Sequence, residues 1–311
     1  MRRLYLTIIS GYKKKINSQS IEFGSAFHLC AKVTELTEGN IGRGVQAACK
    51  YYRETPYEAE DKKKYLDESY LTTVCLNWFD EFYMQDNFIT LRDINQPAWT
   101  VGDIEVVSSL GKPLVEVKFE IPFYSSDKID VIITGTIDRI AQHKTSKLLA
   151  HPDYKTTGSW NSEEYLRGYV LSGQLYMYAL ALRKTLDMCN EQSVLYPFKN
   201  KKFGSFIDGI FLSAPSTKIP PRFIRSEAFI FTENQLNDFE KCLLDLCYRL
   251  EAQLNFSTEI PLPDGLLNDS CSENKFGGKC NFFNYCACGD KIAQEHVLRK
   301  EFIQEPYGPT K

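Results

Sequence analysis

The sequence predicts an α/β fold, with a central mixed β-sheet flanked by helices and a cysteine-rich C-terminal segment. Three observations carry this. Residues 1–100 hold apolar residues at helical spacing. A group of short β-like runs broken by turn residues follows. Helix-like and strand-like runs then alternate until the composition shifts to Pro, Gly, Asn and Cys. The expected organisation is a helical part over 1–100, a sheet-bearing core over 101–260, and a cysteine segment over 261–311 packed on that core.

Taken in order, Phe23 to Leu36 and Ile41 to Tyr52 read as helices. Asp61 to about Tyr83 reads as a third, because Tyr65, Tyr70, Leu71, Val74, Cys75 and Trp78 recur near the helical period. Ile104–Val107, Leu114–Phe123, Val131–Ile140 and Leu148–Tyr154 then read as strands of an antiparallel meander. Gly111-Lys112-Pro113, Ser125-Ser126-Asp127 and His143 to Ser146 supply the turns between them. One long helix is expected from about Ser162 to Leu186, with Ser162 as N-cap and Glu163 and Glu164 in its first turn. Strands over Phe206–Ser213 and Phe223–Phe231 and a helix over Glu233–Leu254 complete the core.

The composition is that of a soluble globular chain, with 43% hydrophobic and 25% charged residues. No apolar run approaches the roughly 20 residues of a membrane span. The opening MRRLYLTIISGYKKK has too short an apolar stretch and no small-residue cleavage site, so a cytoplasmic protein is expected. A net charge of −3 argues against a broad, uniformly basic nucleic-acid surface. It leaves room for an acidic metal site and for local basic patches at Lys62 to Lys64 and at Lys199, Lys201 and Lys202.

The residues that carry chemistry lie around HPDYKT. Asp153 and Lys155 are two apart, so on a strand they project from one face. Asp138 ends the preceding strand, and the short connection makes the two strands neighbours. Carboxylates of this kind hold Mg²⁺ or Mn²⁺, which polarise a phosphate and acidify a bound water. A lysine beside them orients that water and stabilises charge on phosphoryl oxygens. Downstream, Gln174 and Tyr178 are four apart and share a helix face, which Arg167 and Leu171 extend. Upstream, His28 stands inside the first helix as a further candidate ligand.

The order GxxxH (Gly24, His28), GxxD (Gly135, Asp138), DxK-T (Asp153, Lys155, Thr156) and QxxxY (Gln174, Tyr178) resembles RecB-type nucleases of the PD-(D/E)xK superfamily. That group includes the RecB and AddB nuclease domains, RecB-like CRISPR-associated exonucleases and phage recombination exonucleases. The resemblance implies a restriction-endonuclease-like core and a Mg²⁺- or Mn²⁺-dependent deoxyribonuclease acting on DNA ends. Asp138 and Asp153 would ligate the metal and His28 would complete the site. Lys155 would act on the attacking water, and Gln174 and Tyr178 would organise the site and the DNA backbone. The family's glutamate on the strand before GxxD falls on Glu116 or Glu120, with Glu116 favoured. An annealing protein or helicase in recombination, repair or phage DNA processing is the partner implied, in a bacterial or phage-infected cell.

Four of the ten cysteines cluster as Cys271, Cys280, Cys286 and Cys288. With no secretion signal they read as metal ligands before disulfides. The resemblance implies a [4Fe–4S] cluster on Cys271, Cys280 and Cys286, with Cys30 or Cys49 standing in for the family's early cysteine, or Cys288 as fourth ligand. Zinc on the four clustered cysteines, or no metal at all, are the alternatives.

Overall fold

The computed structural model describes residues 12–14, 16–59, 63–101, 104–170, 172–214, 217, 219–256 and 291–304. The helices are α1 (Gln19–Leu36), α2 (Ile41–Glu54), α3 (Glu68–Trp78), α4 (Ser162–Arg167), α5 (Gly173–Met188), α6 (Glu233–Phe256) and α7 (Lys291–Glu301). The strands begin with β1 (Tyr12–Lys14), β2 (Asn17–Ser18), β3 (Tyr57–Glu58), β4 (Phe88–Thr90), β5 (Arg92–Asp93), β6 (Ala98–Val101), β7 (Ile104–Val107) and β8 (Lys112–Pro113). They continue with β9 (Val115–Ser125), β10 (Asp130–Arg139), β11 (Ala141–His143), β12 (Leu149–Thr157), β13 (Phe203–Phe211), β14 (Arg222–Arg225), β15 (Phe229–Ile230) and β16 (Phe302–Gln304).

The chain divides into two compact units, Ser18–Leu244 and the paired termini Met1–Asn17 with Asp245–Lys311. In the terminal unit β1 pairs antiparallel with β16, Tyr12 opposite Gln304. No described helix is long and apolar enough to cross a membrane.

The larger unit is built on a six-stranded mixed sheet ordered β14-β13-β12-β11-β4, with β15 also on β13. β12 and β13 run parallel, Asp153 opposite Ile207 and Lys155 opposite Gly209. The other pairings are antiparallel. Residues Leu149 to Tyr154 are buried throughout, as expected of a central strand covered on both faces. One face packs Leu149, Ile207 and Phe211 against Leu166 of α4, Leu175 and Ala179 of α5, and the β9–β10 ribbon. The other presents Tyr154 and Ile210 to a helical layer of Phe23, Phe27, Leu71, Val74 and Trp78.

Local chemistry sets the helix starts. Asn40, Asp67 and Asn161 each accept a backbone N–H three residues on, the last two from Tyr70 and Glu164. The third helix therefore starts at Glu68, and the residues from Phe79 to Tyr83 continue it as a π-helical turn. Asp61, where the sequence suggested a start, lies outside the described residues.

Two expectations are corrected. The single helix from Ser162 to Leu186 is two helices, because Gly168 closes α4 by donating to Glu164 O and the chain turns through Tyr169 and Ser172 before α5 starts at Gly173. Tyr169 is buried in the core by that turn. The antiparallel meander also fails at its centre. β10 pairs with β9, and the strand hydrogen-bonded to β12 is the short β11 that follows it.

Candidate metal-dependent active site

The site lies where β10 splays from β12. No ladder joins the two strands at Asp138, so the Asp138 carboxylate does the joining. Its Oδ2 accepts the Tyr154 backbone N–H at 3.0 Å. The same oxygen is 3.3 Å from His28 Nδ1, and His28 Nε2 lies 3.0 Å from the Tyr154 carbonyl oxygen. One helix histidine thus bridges a strand-end carboxylate and a central-strand carbonyl.

Glu116 completes a cluster with them. Ile137 pairs with Val117 and Arg139 with Val115, which puts Glu116 across from Asp138. Its backbone has φ +50°, a conformation that strains a residue with a side chain. One ligand atom each from His28, Glu116 and Asp138 falls within 4.8 Å of the others, among the described residues. Glu120, the other glutamate considered, is exposed on β9 opposite Thr134.

Asp153 and Lys155 share the β12 face that packs on α4 and α5. Lys155 Nζ is 2.5 Å from Asp153 Oδ2. Gln174 Nε2 donates to Asp153 Oδ1 at 3.4 Å and to the Tyr178 hydroxyl at 2.8 Å. One α5 amide therefore fixes both the carboxylate and the tyrosine.

Two motif glycines have a steric reason. A Cβ on Gly24 would sit 2.8 Å from Thr156 Oγ1, so α1 approaches the Asp153–Lys155 strand only without a side chain there. A Cβ on Gly135 would sit 2.5 Å from the Phe119 ring, which packs edge-on against Tyr178.

The electrostatics show surplus negative charge. Burial pushes the Asp153 carboxyl up to about 6, with Lys155 pulling it down and Asp138 pushing it further up. Burial and the neighbouring Asp138 also raise Glu116. Burial opposes ionisation of Asp138 as well, but His28, Lys155 and the Tyr154 N–H outweigh it and hold that carboxyl below its ordinary value. Burial disfavours the charged His28 imidazole, yet Asp138 dominates and raises it. The cluster itself offers two carboxylates and one imidazole, with the Asp153 carboxylate and the Tyr154 carbonyl beside it, and its oxygen donors are the kind that suit Mg²⁺ or Mn²⁺.

The family model described as the PD-(D/E)XK nuclease superfamily matches residues 2–286. The chain belongs to that superfamily. No curated protein matches it. Its members are nucleases, and the core seen here, a curled mixed sheet with helices on both faces, is the fold of that superfamily.

Other candidate residues fall elsewhere. Arg167 is on α4, exposed and paired with Glu163 at 2.9 Å, so it does not extend the Gln174–Tyr178 face. Leu171, Lys62, Cys271, Cys280, Cys286 and Cys288 lie outside the described residues. Cys30 is fully buried on α1, where its Sγ and backbone oxygen crowd Gly44 of α2. Cys49 is buried on α2 with its thiol 3.3 Å from Thr72 Oγ1. Lys199 donates to the carbonyls of Asp187 and Cys189 at the end of α5, and Lys201 lies over the Phe198 ring.

Sequence reasoning missed the Tyr154 carbonyl, which no residue type announces. It also missed a buried ionic network beside the site. Arg139 donates to Asp86 Oδ2 at 2.7 Å, Thr90 Oγ1 at 2.7 Å and Phe88 O at 3.0 Å, and lies 3.3 Å from Glu35. Arg225 grips Asp208 with two hydrogen bonds and also reaches Asp86 at 2.7 Å. The signal available was an arginine inside the apolar run VIITGTIDRI.

Proposed function

We propose that this chain is a Mg²⁺- or Mn²⁺-dependent deoxyribonuclease that works as an exonuclease on DNA ends, in recombination, repair or phage DNA processing. The observation that carries the reading is the His28–Glu116–Asp138 cluster standing beside the Asp153–Lys155 pair. In this reading His28, Glu116, Asp138, Asp153 and the Tyr154 carbonyl hold the metal. When bound, the cation supplies charge neutralisation at the scissile phosphate and acidifies water.

The chain's own groups do the remaining work. The Lys155 ammonium, held by Asp153, donates hydrogen bonds toward the attacking water and the phosphoryl oxygens, where charge grows in the transition state. Gln174 keeps the Asp153 carboxylate from rotating and steadies the Tyr178 hydroxyl. The Asp138 bond to Tyr154 N–H fixes the carbonyl of the same residue's peptide strand beside His28.

For the cysteine segment we propose a structural [4Fe–4S] cluster on Cys271, Cys280 and Cys286, with Cys30 as the fourth thiolate and Cys288 as the alternative. Iron and sulfide content of wild type against Cys280→Ser tests it, and equal content in both overturns it.

The test of the nuclease reading is release of acid-soluble nucleotide from end-labelled linear DNA in Mn²⁺, beside a closed circular substrate. Lys155→Ala and Asp153→Ala are expected to fold and to be inactive, and circles to survive. Loss of circles makes the enzyme an endonuclease. Equal behaviour of wild type and variants removes the catalytic assignment and leaves a non-cleaving DNA-binding module.

A further inference from the structure

Beyond the end of the Asp153–Lys155 strand stands an aromatic side chain that the fold does not use. Trp160 is 69% exposed. The Arg222 guanidinium lies 5.6 Å from its ring centroid and 5.4 Å from that of buried Phe211, and Arg222 Nη2 donates to the Trp160 carbonyl at 3.0 Å. The result is a stack of Phe211, Arg222 and Trp160 running from the core outward.

Its place relative to the site is fixed by strand register. Lys155 and Thr157 share a β12 face, Thr157 pairs with Phe211, and Phe211 pairs with Arg222. Paired residues point to the same side of a sheet. The stack therefore lies on the face that carries Asp153 and Lys155. Trp160 follows Lys155 by five positions, so their Cα atoms are at most roughly 18 Å apart. That is roughly five base steps at about 3.4 Å each. The loop is also held in shape before any ligand arrives. Thr157 Oγ1 accepts the Ser159 N–H at 3.1 Å, and Asn161 caps α4. A Cβ built on Gly158 would meet nothing within 4 Å beyond its chain neighbours.

Resting on the nuclease reading, we propose that Trp160 and Arg222 form a stacking platform for an unpaired nucleobase of the DNA strand that enters the site. An exposed indole backed by a guanidinium offers a π-face for any base and a positive charge for the adjoining phosphate. A base inside a duplex has both its faces covered by neighbours and a terminal paired base has one, so the platform favours single-stranded or frayed ends, where a base is unpaired and free to turn onto the indole. This gives a chain of net charge −3 a local means of holding DNA without a broad basic surface.

The experiment is equilibrium binding of fluorescein-labelled thymidine oligonucleotide and of blunt duplex to the full chain in Ca²⁺. Trp160→Ala is expected to weaken the oligonucleotide by roughly 5- to 150-fold, the worth of one base–aromatic stack. Trp160→Phe is expected to keep most of the affinity, and blunt duplex to bind both variants as it binds wild type. A scan of single abasic sites along the oligonucleotide, run on wild type, needs no variant to fold. One position is expected to cost the same factor, and Trp160→Ala to abolish that cost. Equal losses on strand and duplex, no loss at all, or an abasic cost that survives Trp160→Ala would each overturn the proposal. None of these readouts needs cleavage, so inactivity of the wild-type chain would sink the nuclease reading and leave this result standing.

Discussion

Removing Arg139 tests the structural frame on which the site is hung. The side chain is 4% exposed and belongs to a network of two cations and three anions: Arg139 and Arg225 with Glu35, Asp86 and Asp208. Arg139→Met keeps most of the volume and deletes every donor. Asp86 retains Arg225 at 2.7 Å and the Phe88 N–H at 2.8 Å. Glu35 retains the Thr90 hydroxyl at 2.7 Å but loses its cation. Breaking one partner out of a buried ion pair costs about 3–5 kcal/mol, because the remaining charge stays desolvated. In a unit the size of Ser18–Leu244, each kcal/mol lowers the melting temperature by about 2–4 °C, so a fall of roughly 6–20 °C is expected. Arg139→Lys keeps the charge but not the fork, and is expected to recover part of the loss. Thermal and urea unfolding of metal-free protein near neutral pH measure this. A loss under about 1 kcal/mol, the worth of an exposed pair, would refute the reasoning.

Three further outcomes are expected. Gly24→Ala brings a methyl to 2.8 Å from Thr156 Oγ1, so it should cost about 1–3 kcal/mol and lower nuclease activity; adding Thr156→Ala should restore most of the stability, as a double-mutant cycle in urea would show. Gln174→Leu frees Asp153 and Tyr178 and should cut activity by about 10- to 100-fold with unfolding unchanged, read as single-turnover cleavage. The third concerns acid. Burial pushes His151 down to about 3, against about 6.5 in an unfolded chain. The unfolded chain binds this proton first, so His151 lowers stability as pH falls below about 6.5, by about 2 kcal/mol near pH 5. Phenylalanine can keep the stack on Phe231, whose ring lies at 10° to the imidazole, without titrating. Stability of His151→Phe relative to wild type, in EDTA, should therefore rise by about 2 kcal/mol from neutral pH to about pH 5, and no change would count against the buried neutral imidazole.

What the sequence revealed of this molecule follows from range. The β9, β10 and β12 strands announce themselves by alternation and turn residues that lie side by side, as in VEVKFEIPF and VIITGTIDRI. His28, Asp138, Asp153 and Lys155 were legible as a motif order. What brought His28 to Asp138, a gap at Gly24 and strands that splay at Asp138, was not. The break between α4 and α5 had a signal in Gly168 and Gly173, but the apolar period across Tyr169 hid it. The Arg139 and Arg225 network joins residues as far as 139 positions apart, and no local pattern reports such pairs.

The claim at the centre is that the imidazole–carboxylate cluster is a divalent-cation site. Electron paramagnetic resonance of free Mn²⁺, titrated with wild type and with Asp138→Asn, measures this without any substrate. The account predicts saturable binding by wild type and a loss of roughly tenfold or more in the variant while its fold persists. Equal binding by both proteins, or none by wild type, would contradict it.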